Sequence, residues 1–486
     1  MRYDAAIIGA GAEGLAAATA LARKGLKIIV IERNDRPGGR CITCEFHPGF
    51  RASPYCDAIS PIPSDVFWSL DLGRRGVVFL PPGASTALWP GCAFVANPRE
   101  SRLLRQGATA AEAALSHAAQ LARQKTKQSF FSRRPAEARL WPGDDNVTPS
   151  LSDCLARDIA DGDLAALTMA EVFSGRAAHP GMAGSGLHLL AAASGPVAGG
   201  LQRLTDALYA AACDAGAEFS FGLEVMDIRR YRGTARALGL ADGSEVSARA
   251  IVSTLDLKRT FLSLFAWSDL PMEVSARAGT FRMAGGTARL LFALSALPPR
   301  PAFAEREIFR GPIHVAPDAA AFGTAYADWR AGTVSPSMPV TLRFPSVADP
   351  GLSPSGAAVM TATVGAVPFR LFDGAWTHER RAALQEQVLG AVENVLPGTR
   401  PLVLASALIV PPDIEEALGL TDGDLDSGEI AADQIFGLRP GFDAPRTPID
   451  GLYLTGSTTA SLLGTCAAGV NAASAVLADL KTGRLK

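Results

Sequence analysis

Neither sign of charge is in excess in this 486-residue chain: 46 Lys and Arg face 48 Asp and Glu, a formal net charge of −2. The basic surplus with which nucleic-acid binders hold phosphates is missing, so no nucleic-acid partner is expected. Cysteine is sparse and odd in number, seven in all (41, 44, 56, 92, 154, 213 and 466). That argues against a secreted disulfide framework and fits a reducing, cytoplasmic compartment. No stretch of about 18 apolar residues occurs, so no transmembrane segment is expected, while peripheral membrane contact stays open. The six histidines (47, 117, 179, 188, 314 and 378) show no HxxxH or HxxH spacing beside acids, and no metal site is expected. Glycine (48) and proline (33) together stay below the ~25–30% of low-complexity chains. A 48% apolar content is that of a folded chain long enough for a sizeable core.

What is present begins at the amino end. Tyr3 to Gly9 (YDAAIIG) is a short apolar run ending in glycine, Ala12 to Lys24 is rich in helix formers and closed by Gly25, and Lys27 to Ile31 (KIIVI) is a second apolar run. The order predicts strand, helix, strand, with Gly9, Gly11 and Gly14 in the first turn and Glu32 closing the second strand. Gly9 would make the tight turn, Gly11 let backbone approach a pyrophosphate, and Gly14 let helix pack on strand. The N–H groups around Ala12 and Glu13 at the helix start suit phosphate. Glu32 stands where a carboxylate accepts from ribose hydroxyls. The apolar start resembles a leader peptide, but Glu13 in its middle and the spaced glycines read as retained structure.

Arg33 to Arg40 (RNDRPGGR) resembles the E-R-x-x-x-x-G-G-R stretch of the FAD-dependent amine oxidase and phytoene desaturase superfamily. The stretch GDLDSGEIAADQIFGLRPGFDAPRTPIDGLYLTG, with PGFRASPY, NVTPSLSDCLA and VAGGLQRLTDAL, is similar to the phytoene-dehydrogenase-like group of the pyridine nucleotide-disulphide oxidoreductase domain-containing protein 2 type. The resemblance implies an α/β fold: a discontinuous Rossmann-like FAD-binding domain (1–70, 195–262 and 428–486) with an inserted α+β substrate domain (71–194 and 263–427). It implies FAD as cofactor, with Arg33, Gly38, Gly39 and Arg40 along it, Val225 at the adenine, and Gly456, Ser457, Ala467, Ala468 and Gly469 at the flavin. Two departures stand out: Ser427 and Gly428 replace a His-Gly pair, and Thr459 to Leu463 (TASLL) replaces a His-Pro-Gly-Gly-Gly run.

Further along, Ser101 to Gln128 reads as an Ala, Leu and Arg helix, 129–145 as an aromatic-bearing loop, and Pro149-Ser150 as a helix start. Gly195 to Leu208 is a glycine-rich entry into a helix, AGAEFSFGLEVMDIRRY reads as strands, and Gly243 to Thr254 as a hairpin leading to a parallel strand. Thr447 to Leu480 reads as strand, turn and a helix of small residues whose N–H groups face a developing anion on the flavin. Phe130, Phe131, Trp141, Trp267, Phe281, Trp329 and Trp376 are candidates for core or for a substrate pocket.

The expected chemistry is oxidation of a largely apolar small molecule by hydride transfer to flavin N5, with oxygen, a quinone or a protein as electron acceptor. No second strand-linked GxGxxG occurs, Gly184-Ser185-Gly186 being the nearest, so no nicotinamide domain is expected. Flavin amine oxidases usually carry a lysine near N5, and no lysine lies between Lys258 and Lys481. This favours desaturase-like chemistry over an amine oxidase or isomerase. A non-catalytic flavin-binding interaction protein is the remaining alternative. Cys41-x-x-Cys44 reads as a strand leaving the flavin rather than a redox dithiol, and no catalytic acid or base is named.

Overall fold

The structure is a computed structural model and describes residues 2–96, 101–103, 149–159, 162–190, 195–301, 306–431, 434, 444–460 and 464–485. The helix expected over 101–128 and the aromatic loop over 129–145 lie outside these residues, apart from a short strand at 101–103. The strands run, in chain order, β1 (Arg2–Ile8), β2 (Ile28–Ile31), β3 (Cys44–His47), β4 (Phe50–Ala52), β5 (Ser85–Trp89), β6 (Cys92–Ala96), β7 (Ser101–Leu103) and β8 (Glu218–Ser220). They continue as β9 (Val225–Tyr231), β10 (Thr234–Leu240), β11 (Glu245–Ser253), β12 (Ala288–Leu294), β13 (Ile313–Val315), β14 (Val340–Arg343), β15 (Ala358–Val364), β16 (Val403–Ile409) and β17 (Leu452–Leu454).

One sheet has the order β8-β2-β1-β11-β10-β9, with β17 also on β11. β8, β2, β1, β11 and β17 are parallel, while β9 and β10 turn back as antiparallel neighbours. Strands buried on both faces must be apolar throughout, which is why Ala5 to Ile8 and Ile28 to Ile31 show no alternation. On one face the first helix (Ala12–Ala22) lies between the helix Gln202–Asp214 and the last helix (Ala467–Lys481), and small residues allow this close layering. The other face is closed by β9 and β10 together with Phe261, Phe265 and Phe281.

The second sheet, β16-β12-β15-β14-β13-β5-β6-β7, is antiparallel except for the β13–β5 pair. Strand alternation divides its side chains between two faces. Leu290, Phe292, Met360, Ala362 and Leu342 pack under the helix His378–Val395, whose Leu384, Val388 and Val392 point inward. Arg289, Leu291, Thr361, Thr363, Thr341, Arg343 and His314 occupy the opposite face. The helix Leu151–Asp158 starts as its sequence predicts, with a capping box at Ser150: Oγ accepts from the Asp153 N–H, and Asp153 accepts from the Ser150 N–H. Among the described residues no helix is long and apolar enough to cross a membrane.

Candidate functional site

The parallel strands end together, and their carboxyl ends form a crevice of the kind in which open α/β sheets place ligands. Gly9 follows β1 at φ +96, and a Cβ there would sit 2.3 Å from Thr254 Oγ1; a Cβ on Gly14 would sit 2.1 Å from the Gly9 carbonyl oxygen. Both glycines are therefore required by packing. Gly11 differs, since no atom lies within 4 Å of where its Cβ would be. That open space at the start of the first helix, beside the Ala12 and Glu13 backbone, is what a pyrophosphate needs. Glu32 is buried at the end of β2, its Oε2 accepting from the Ala10 N–H at 2.8 Å and its Oε1 from the Asn34 N–H at 2.9 Å. The Leu223 N–H donates to the Glu32 carbonyl at 3.1 Å, which brings the start of β9, with Val225, alongside.

Gly38 bridges to Gly11 and donates its N–H to the Ala10 carbonyl at 3.0 Å, so the double glycine folds over the phosphate turn. Arg40 Nη2 donates to Ser457 Oγ at 2.9 Å and Nη1 to the Leu425 carbonyl, joining three distant segments. Gly456, at φ +92, follows β17 and lies beside Thr254. Arg33 is placed differently: its guanidinium donates to the Glu416 carbonyl at 2.5 Å and braces the helix Pro411–Leu418. Residues 461–463 of the TASLL stretch lie outside the described residues.

The carboxyl end of the chain requires a correction. Ala467, Ala468 and Gly469 form the first turn of the last helix. Two of the N–H groups expected to face a flavin anion are already taken, because Glu13 Oε1 accepts from Cys466 and Oε2 from Gly469, each at 2.7 Å. A Cβ on Gly469 would come within 2.1 Å of the Glu13 carbonyl oxygen, so glycine here serves helix-to-helix contact. The Glu13 side chain is likewise turned to the last helix rather than to the phosphate turn. Burial raises its pKa, against the pull of the two amides and Arg40.

A small, shallow cleft is lined by Arg176, His188, Thr287, Asp424, Leu425 and Asp426. Burial opposes ionisation of Asp426, but the two-point contact with Arg176 (2.6 and 3.2 Å) outweighs it and holds the carboxyl near 2. Burial, reinforced by Asp426, lifts Asp424 to about 6. Asp424 organises the loop by accepting from Ala284, Asp426 and Gly428 N–H groups, each at 2.9 Å. His188 is buried and held neutral, its pKa brought down to about 3 first by burial and then by Arg176. Nothing in the local sequence marks these residues, since partners such as Arg176 and Asp426 lie 250 positions apart.

A second buried pair was equally hidden. Arg289 on β12 holds Asp57 through two contacts of 2.8 Å, and Thr361 donates to the same carboxylate at 2.9 Å. Burial disfavours the Asp57 charge, yet Arg289 keeps the pKa below its ordinary value. Next to it, Cys56 Sγ contacts the Arg40 carbonyl at 3.6 Å, so this pair adjoins the crevice. Cys41 and Cys44 are free; burial pushes the Cys41 thiol up to about 12 and also raises Cys44, the opposite of a reactive dithiol. Of the aromatics, Phe281 is core, Trp329 and Trp376 donate to the Gly285 and Pro368 carbonyls, and Trp267 is 77% exposed, so these four do not gather into a pocket. Phe130, Phe131 and Trp141 lie outside the described residues.

Likeness to known proteins agrees with this crevice. The family model of flavin containing amine oxidoreductases matches residues 14–260. The chain is 27% identical to the pyridine nucleotide-disulfide oxidoreductase domain-containing protein 2 of Mus musculus, over 99% of this chain and 94% of that protein. Among solved structures, cyclohexylamine oxidase from Brevibacterium oxydans superposes with a TM-score of 0.64 at 17% identity, covering 99% of both chains. An oxidoreductase from Methanosarcina mazei gives 0.61 at 18%, covering 99% of this chain and 100% of that one. These two share the fold. With a family match that spans half of the sequence and takes in Glu32, the double glycine and β9 to β11, the chain belongs to the flavin-containing amine oxidoreductase family and is an FAD-dependent oxidoreductase.

Proposed function

We propose that the protein dehydrogenates a largely apolar small molecule, forming a double bond between carbons. FAD, when bound, would supply the hydride acceptor, with oxygen, a quinone or a protein as the final electron acceptor. The observation that carries the reading is the absence of lysine from 259–480, the stretch that supplies strands β12 to β16. The described acids near the crevice are engaged: Asp57 by Arg289, Glu13 by the last helix, Asp426 by Arg176. What this chain's residues then do is bind, orient and exclude water, as hydride removal from carbon requires.

In this reading the backbone of Gly11 and Ala12 holds the pyrophosphate in the turn that Gly9 and Gly14 shape, Glu32 holds the ribose and Val225 the adenine. Gly38, Gly39, Gly456 and Ser457 line the flavin side, with Arg40 by the phosphates. The separate strand sets support assigning 1–70, 195–262 and 428–486 to the nucleotide domain and 71–194 and 263–427 to the substrate domain. Seven free cysteines support a cytoplasmic location. The family match favours oxidation of an amine as the second reading. Anaerobic mixing of flavin-loaded protein with candidate substrates, followed by mass analysis, separates the two. A product lighter by one H2 with no ammonia on hydrolysis supports the first, and ammonia supports the second. Protein purified without any flavin, and unable to take it up, would overturn both.

A further inference from the structure

The face of the large sheet that carries Arg289 is covered by apolar packing at both ends. Leu291, Ala293 and Val359 lie under Phe50 and Ala52 at one end. Ala87 and Phe94 lie under the helix Gly162–Val172 and Phe173 at the other. The strip between them is polar, and alternation along β12 to β15 explains why: Arg289, Thr361, Thr363, Thr341, Arg343 and His314 fall on one side. Nearly all of them are matched. Arg289 and Thr361 bind Asp57, Arg289 also donates to Thr363, and His314 Nδ1 shares a 3.0 Å hydrogen bond with Thr341 Oγ1.

Arg343 is the exception. No acceptor among the described residues lies within hydrogen-bond or ion-pair distance of its guanidinium. Two acids act on it from farther away. Asp57 is already neutralised by Arg289, and Glu171, at 45% exposure, faces solvent beside His314 at 3.9 Å. A guanidinium cannot shed its proton, so a partly enclosed one with five N–H donors calls for an anion. The strip adjoins the crevice through the Cys56–Arg40 contact. A cation unmatched among the described residues, between apolar flanks, suits a single negative charge on a hydrocarbon body and repels an ammonium group.

We infer that Arg343 holds the carboxylate of the substrate, whose apolar remainder reaches toward the flavin crevice. The inference rests on the reading that substrate lies between this sheet face and the crevice. The test is calorimetric titration of the flavin-loaded protein with benzoate, benzyl alcohol and benzylamine, in the wild type, Arg343→Gln and Arg343→Lys, with FAD content measured by absorbance. Benzoate should bind the wild type at least tenfold more tightly than the other two probes. Arg343→Gln should weaken benzoate by about ten- to a hundredfold, the range expected for a lost charge-assisted contact, with FAD content unchanged. Arg343→Lys should retain part of the preference. Equal binding of benzoate and benzyl alcohol by the wild type, or undiminished benzoate binding in Arg343→Gln, would overturn the inference. If Arg343→Gln does not fold, the wild-type comparison and Arg343→Lys decide. Benzoate binding does not involve flavin reduction, so failure of the dehydrogenase reading shows separately, as a flavin that no C–H substrate reduces.

Discussion

The carboxylate of Glu13, in the first turn of the first helix, accepts from the backbone N–H of Gly469, in the first turn of the last, at 2.7 Å across 456 positions of sequence. The same carboxylate takes the Cys466 N–H, while the last helix has no side-chain cap of its own. One acid thereby satisfies two of the donors that a helix start leaves open and locks the two ends of the chain together.

Glu13→Ala should therefore cost about 1–3 kcal/mol, the penalty of leaving buried donors unpaired. Urea unfolding of the flavin-free protein measures it. Glu13→Gln, which keeps one acceptor oxygen, should lose less. Unchanged midpoints in both variants would remove the cap from the account.

Gly469 and Gly390 make a matched pair for testing the packing argument. A Cβ on Gly469 would collide with the Glu13 carbonyl oxygen at 2.1 Å, whereas one on Gly390, inside the helix His378–Val395, meets nothing within 4 Å. Gly469→Ala should destabilise by about 1–3 kcal/mol through overpacking. Gly390→Ala should stabilise by roughly 0.5–1 kcal/mol, the helix penalty of glycine. Thermal denaturation of the two variants should move in opposite directions, and movement in the same direction would contradict the geometry.

Glu32 bears on both cofactor and fold. Its carboxylate already supports the Ala10 and Asn34 amides, so Glu32→Ala should lose flavin and also about 1–3 kcal/mol of stability. Glu32→Gln should keep more of the stability while still binding FAD more weakly than wild type. Absorbance after gel filtration reports occupancy, and full occupancy in Glu32→Ala would show that the ribose is held elsewhere.

Asp424 sets a pH dependence with a definite sign. Burial, then Asp426, raises its pKa from the ordinary 3.8 to about 6, so the folded state keeps a proton that the unfolded chain releases. Its contribution is present below the unfolded value and is lost as pH rises through about 6, amounting to roughly 3 kcal/mol. The stability of wild type relative to Asp424→Asn should fall by that order between pH 4 and pH 7. A constant difference across this range would mean that Asp424 titrates as in the unfolded chain.

The nucleotide end was legible because its signals are local. The unalternating apolar runs of β1 and β2 require burial on both faces, and Gly9 and Gly14 answer to contacts within their own strand–turn–helix unit or its immediate neighbour. Glu32 is placed by the end of the strand that carries it. The same holds for the Ser150 helix start, which needs only the three residues that follow. Local reading fell short at Gly469, where small residues suggested a flavin but the Gly469 N–H meets the Glu13 side chain instead. It also failed for Arg33, which the chain places against the Glu416 carbonyl.

The sequence by itself determined the parallel strand–helix–strand unit, the absence of lysine beyond residue 258 until 481, and the glycines on which backbone approach depends, since these follow from residue type and short-range order. Only the tertiary structure decided which charges are matched. Asp57 meets Arg289 across 232 positions, and Arg176 meets Asp426 across 250. No periodicity encodes such meetings. They arise when two sheets and the loops between them close around polar side chains that burial then compels to find partners.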